Sequence, residues 1–95
     1  MSRSYTLLDY TGFEEYLIDS NVYCNRYAYT FKFDNEYGAS VIKHDYSYGG
    51  AYDLFELAVL NKYDKIIYDT EITDDVIGDL TNEEVLNLLE RIKQL

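Results

Sequence analysis

Residues 26–33 read RYAYTFKF, and the fold class follows from their alternation. Tyr27, Tyr29, Phe31 and Phe33 fall at every second position, separated by Ala28, Thr30 and Lys32. A period of two puts the four rings on one face of an extended chain, so the segment predicts a half-buried β-strand. Downstream, DNEYG (34–38) has the composition of a hairpin loop, and ASVIKH (39–44) returns as a second strand. A longer loop follows, DYSYGGAYD (45–53), with Gly49 and Gly50 at its centre. LFELAVLN (54–61) and KIIYD (65–69) then flank a tight connection and read as another hairpin. Strands that are consecutive and joined by short turns predict an antiparallel sheet of about four strands.

Helices are expected at both ends of this meander. TGFE (11–14) places Glu14 three residues after a threonine cap, and Phe13, Tyr16 and Leu17 then share a face. This predicts a short first helix from Thr11 that stops near 19–21, where DSN collects turn-forming residues. Toward the C-terminus, Thr81 precedes Glu84 by three, and Val85, Leu88, Leu89, Ile92 and Leu95 recur at helical spacing, with Arg91 and Lys93 in the last turn. That helix is expected to lay its apolar stripe on one face of the sheet, giving an α+β two-layer domain. Between the strands and this helix, Ile72, Val76, Ile77 and Leu80 are the anchors that pin an acidic connection.

Ninety-five residues make one domain, 1–95, and 47% hydrophobic residues suffice for a core. The chain has no apolar run of the length a membrane helix needs and no signal-peptide pattern near its start, so a cytoplasmic protein that does not enter membranes is expected. One cysteine, Cys24, excludes an internal disulfide and reads as a small buried side chain. The single histidine, His44, adjoins Asp45, but neighbours on a strand point to opposite faces, which disfavours a catalytic dyad. Glu71, Asp74 and Asp75 lack the alternate oxygen ligands, the sixth-position glycine and the twelfth-position glutamate of a calcium loop. No enzyme, cofactor or metal site is therefore expected. RYAYTFKF also departs from the stacking strand of RNA-recognition domains, with Tyr27 where glycine belongs and Ala28 where an aromatic belongs.

The remaining signal is charge. Eighteen acids against eight bases give a net charge of -10, a field that repels nucleic acid and attracts basic partners. Residues 68–84 carry Asp69, Glu71, Asp74, Asp75, Asp79, Glu83 and Glu84 with no Lys or Arg. Duplex DNA about 30 Å long carries ~18 charges, so the protein imitates it only if its acids gather on one face. Asp9, Glu14, Glu15 and Asp19 are expected to join the cluster if the two helices lie side by side. The twelve tyrosines suit either a strand-rich core or an interface, since each ring is apolar with a polar tip.

YGASVIKHDYSYGGAYDLFELAVL (37–60), followed by YDTEITDDVIGDLTNEEVLNLLERIKQL (68–95), resembles small acidic proteins encoded by bacteriophages and other mobile elements of Gram-positive bacteria. In size, charge and tyrosine content the chain is similar to anti-CRISPR proteins, which block RNA-guided nucleases. The resemblance implies a mechanism: acidic side chains occupy a basic nucleic-acid channel, such as the site where arginines read the short DNA motif beside the target. Asp69, Glu71, Asp74, Asp75 and Asp79 would be the phosphate surrogates, with Tyr46, Tyr48 and Tyr52 as flanking aromatic contacts. The implied partner is a basic protein surface, bound by a monomer or homodimer, without direct contact to nucleic acid. The alternative is a structural or assembly protein of a mobile element that dimerises through its tyrosine-rich sheet.

Overall fold

A computed structural model describes residues 5–23, 26–67, 70 and 76–95. The alternating segment forms β2 (Arg26–Lys32), at the heart of an antiparallel meander with β1 (Leu17–Tyr23), β3 (Gly38–His44), β4 (Phe55–Leu60) and β5 (Ile77–Leu80). The strand order is β1-β2-β3-β4-β5, so every strand pairs with its sequence neighbour. One face carries Tyr27, Tyr29 and Phe31 from β2, Ala39 and Val41 from β3, Phe55, Leu57 and Val59 from β4, and Leu80 from β5, all buried. Helix α1 (Asn82–Lys93) covers β3, β4 and β5 on this face with Val85, Leu88, Leu89 and Ile92. The protein is thus an α+β fold of one sheet and one covering layer.

Residues 5–16 complete that layer over β2. The Tyr10 ring lies 6.0 Å from those of both Tyr29 and Phe31, while Phe13 and Tyr16 pack against Phe33 at 6.4 and 5.1 Å. The segment is also tied down by polar contacts: the Tyr27 hydroxyl donates to the Tyr5 carbonyl at 2.9 Å, and the Leu8 amide donates to the Tyr29 hydroxyl at 3.2 Å. Burial raises the Tyr29 pKa above its ordinary value. Among the described residues no buried side-chain nitrogen or oxygen lacks a hydrogen-bond partner.

The N-terminal and fifth-strand regions differ from the expectation. The first helix is a single 3-10 turn, Glu14–Tyr16. Gly12 has φ 98°, and the Glu14 carboxylate accepts from the Gly12 amide, while Thr11 donates to Asp9. With the box unformed, the chain extends from Leu17 and pairs with β2 over residues expected to turn. The last hairpin is also different. Ile66 makes an isolated bridge to Leu60, and the strand that pairs with β4 is IGDL at 77–80, with Leu57 opposite Ile77 and Phe55 opposite Leu80. The sheet therefore has five strands where about four were expected. Residues 68 and 69, the end of the expected KIIYD strand, lie outside the described residues, as does Cys24.

At α1 the expected capping box is present: the Thr81 hydroxyl accepts from the Glu84 amide at 3.2 Å, and the Glu84 carboxylate accepts from the Thr81 amide at 2.9 Å. Hydrogen bonding of the Glu84 carboxylate to the Thr81 amide, and to its side chain, lowers the Glu84 pKa. At the other terminus Asn35, from the β2–β3 hairpin, donates to the carbonyls of Ile92 at 2.9 Å and Lys93 at 3.1 Å, satisfying acceptors the helix leaves open.

Candidate functional site

The meander gives the molecule two ends. At one, β4 begins at Phe55 beside the last residue of β5, so loop 45–54, the start of α1 and the β5 terminus meet. At the other lie the β2–β3 hairpin, the connection after β4 and the last turn of α1.

The first end is built around the β3–β4 loop. Ser47 ties its start: the His44 amide donates to the Ser47 hydroxyl at 3.0 Å, and the hydroxyl donates back to the His44 carbonyl at 2.9 Å. Gly50 then passes so close that a Cβ there would lie 1.7 Å from the His44 carbonyl oxygen. The Tyr48 amide donates to the Glu56 carboxylate at 2.9 Å, which fixes the loop against β4. From the other side the Asp79 amide donates to the Tyr48 carbonyl at 3.2 Å, and a Cβ on Gly78 would lie 2.3 Å from that of Tyr48. Tyr46, Tyr48 and Tyr52 are left 94%, 67% and 79% exposed, so their rings belong to the surface and not to the core.

Of the eight residues expected to bind a partner, four are described, and the structure brings those four together. Asp79 touches the loop that carries Tyr46, Tyr48 and Tyr52 through the backbone contact to Tyr48. Its own carboxylate is exposed and makes no hydrogen bond or ion pair with the described residues. Asp69, Glu71, Asp74 and Asp75 lie outside the described residues.

Acids from distant parts of the chain join this end. The Asp9 amide donates to the Asn82 side chain at 2.7 Å, and that side chain donates to the Asp9 carbonyl at 2.9 Å, so Asp9 sits at the first turn of α1 with Glu83 and Glu84. Hydrogen bonds from the Thr11 side chain and amide lower the Asp9 pKa. With Asp45, Asp53, Glu56 and Asp79 these make an end whose described bases are Arg26 and the buried Lys43. Lys32, Lys62, Lys65, Arg91 and Lys93 lie toward the opposite end, where the Lys32 ammonium donates to the Lys62 carbonyl at 3.2 Å and lies 3.6 Å from Asp64. Glu14 and Glu15, expected to join the cluster, are instead placed with Tyr16 and Phe33 toward that opposite end, and Asp19 is on β1.

Lys43, a residue the sequence reading passed over, underlies the acidic end. It is fully buried on the inner face of β3, where its ammonium donates to Asp53 at 2.9 Å and to the Thr6 carbonyl at 3.0 Å and lies 3.7 Å from the centre of the Phe55 ring. Asp53 in turn accepts from the Thr6 amide at 2.9 Å and the Thr6 hydroxyl at 2.6 Å. Desolvation pushes the Asp53 pKa up, but the hydrogen bonds from Thr6 and Lys43 and the lysine charge outweigh it and bring the pKa down to about 2. Tyr5 donates to Asp45 beside this pair. The signal was available: Ala39 and Val41 face inward, so a period of two sends Lys43 inward as well.

His44, Arg26, Asp45 and Tyr46 line a shallow depression of about 230 Å³. The Nδ1 atom of His44 accepts from the Tyr46 amide at 3.0 Å, which leaves Nε2 as the ring nitrogen that carries the proton. Among the described residues no group of three His, Cys, Asp or Glu side chains is placed to hold a metal ion, and no helix is long and apolar enough to cross a membrane. Comparison of the chain with protein-family models, curated proteins and solved structures gave no match.

Proposed function

We propose that the protein is a non-enzymatic inhibitor of the anti-CRISPR type, which binds a basic nucleic-acid-binding surface of a CRISPR nuclease or another defence protein as an acidic mimic. The observation that carries this reading is the meeting of Asp79, the exposed Tyr46, Tyr48 and Tyr52, and the acids Asp9, Glu83 and Glu84 at one end of the molecule. An end of this kind attracts arginine and lysine over a Debye length and offers rings on which guanidinium groups stack. Tyrosine supplies contact area with few rotatable bonds, so ordering three such rings costs little entropy. Asp69, Glu71, Asp74 and Asp75 precede Asp79 in the chain and would add to the charge presented.

The test is a pull-down with guide-loaded RNA-guided nucleases at low salt. Replacing Asp74, Asp75 and Asp79 together by Asn is expected to reduce capture at least tenfold, and Tyr46→Ala with Tyr52→Ala to reduce it several-fold, with the fold unchanged because both rings are exposed. Absence of capture at low salt, or capture indifferent to these replacements, would exclude the mechanism.

A further inference from the structure

The sheet has one long edge that no described residue pairs with, the outer side of β1. Its opposite edge, β5, is short at four residues and carries Asp79 at φ 56° within it, a geometry that does not invite another strand. β1 is seven residues long and has neither the proline nor the lysine that commonly guards such an edge. Ile18 and Val22 on it are 56% and 46% exposed.

The residues of β1, LIDSNVY, are symmetric in polarity about Ser20: two apolar positions, Asp19, the serine, Asn21, and two apolar positions again. Antiparallel pairing with a second copy, centred on Ser20, sets Leu17 opposite Tyr23, Ile18 opposite Val22, and Asp19 opposite Asn21. The carboxylate then meets an amide and no like charges face each other. A one-residue slip in either direction puts apolar side chains against polar ones. A two-residue slip toward the N-terminus puts Asp19 against its own copy. One register is therefore singled out by the strand itself, and a two-fold contact needs this self-complementarity.

We propose that the protein forms a two-fold homodimer in which the β1 strands of two copies pair antiparallel about Ser20, joining the two sheets into one. Ile18 lies in the bulge between Leu17 and Asp19, so the regular ladder runs over Asp19, Ser20 and Asn21, and Val22 meets Ile18 only at its margins. The contact is small, so the dimer is transient, with a dissociation constant on the order of micromolar. Each copy carries a net charge of -10, and the two repel. Salt screens that repulsion and strengthens the dimer, whereas it weakens an acidic surface's grip on a basic partner. The two proposals therefore stand or fall separately.

Sedimentation of the full chain over a range of concentrations, at low and high salt, tests the dimer. The expected result is a concentration-dependent rise from the 11.2 kDa monomer toward twice that mass, more pronounced at high salt. Asn21→Asp brings two carboxylate pairs face to face and is expected to weaken association about tenfold, and adding Asp19→Asn restores it. Val22→Lys, at an exposed position, places a charge in the contact and is expected to give a monomer, a second disruption that does not depend on the Asp19–Asn21 hydrogen bond within the strand. A monomer at every concentration and both salts overturns the proposal, as does a dimer that neither Asn21→Asp nor Val22→Lys weakens. Failure of Asp19→Asn to restore association overturns the register.

Discussion

Lys43 is the buried charge among the described residues, and the behaviour of its pair with Asp53 follows from that burial. The lysine is wholly inside, and its charge is met by the Asp53 carboxylate, the Thr6 carbonyl and the Phe55 ring. Asp53→Asn leaves that ammonium without its counterion and is expected to cost about 2–3 kcal/mol, read as a lower denaturation midpoint, below the range for a fully buried pair because Asp53 is half-exposed. Lys43→Met removes the charge along with its desolvation cost and is expected to cost less than about 1 kcal/mol, since the stem is retained in shape. The pH dependence has a definite sign. Asp53 is held near 2 in the folded chain against 3.8 ordinarily, so the unfolded chain takes up the proton first as pH falls. Its stabilisation is therefore full above about pH 5 and is lost as the pH falls from there toward 2. Melting temperatures measured across that interval are expected to fall less steeply for Asp53→Asn than for the natural chain, whereas equal slopes would contradict the assignment.

Elements differ in how openly the sequence declares them, and the difference is one of range. α1 was legible in full because its signals are local: the Thr81–Glu84 box, the apolar stripe, and the bases of the last turn. β2 and β3 were legible because burial on one face imposes a period of two. β1 was not, since all but its first residue are exposed and no alternation is selected there. β5 was not either: four residues of mixed character pair with a strand well back in the chain, and that pairing is a tertiary fact with no local signature. The pairing makes its own prediction. Gly78 lies against Tyr48 and has no room for a methyl group. Gly78→Ala is expected to destabilise the protein by about 1–3 kcal/mol through overpacking and to raise amide exchange in both β5 and loop 45–54. Exchange raised in β5 alone would show that strand and loop are not coupled.

At the scale of the whole molecule, the meander draws Lys32, Lys62, Lys65, Arg91 and Lys93 toward one end, where Glu14, Glu15, Asp34, Glu36, Asp64 and Glu90 offset them, and leaves the other end acidic. Asp79 and Glu83 are close in the chain, and Asp9, expected to join them through paired helices, does so without a first helix: the Asp9–Asn82 and Asp79–Tyr48 contacts bring the three to one end. The tyrosines divide in the same way, with Tyr5, Tyr27 and Tyr29 buried in the core and Tyr46, Tyr48 and Tyr52 on the surface. The exposed three are grouped beside Asp79 because one loop carries them all. This arrangement gives the inhibitor proposal an orientation, the acidic end toward the partner and Lys62 and Lys65 away from it. The most direct measurement is the affinity for a guide-loaded nuclease as ionic strength rises from about 0.05 M to about 0.3 M, for the natural chain and for variants at each end. The account predicts that affinity falls at least tenfold with salt, that neutralising Asp79 with Asp74 and Asp75 removes most of that dependence, and that Lys62→Glu with Lys65→Glu leaves binding intact or tightens it. Binding that is indifferent to salt and to the acidic end, yet lost on replacing Lys62 and Lys65, would contradict it.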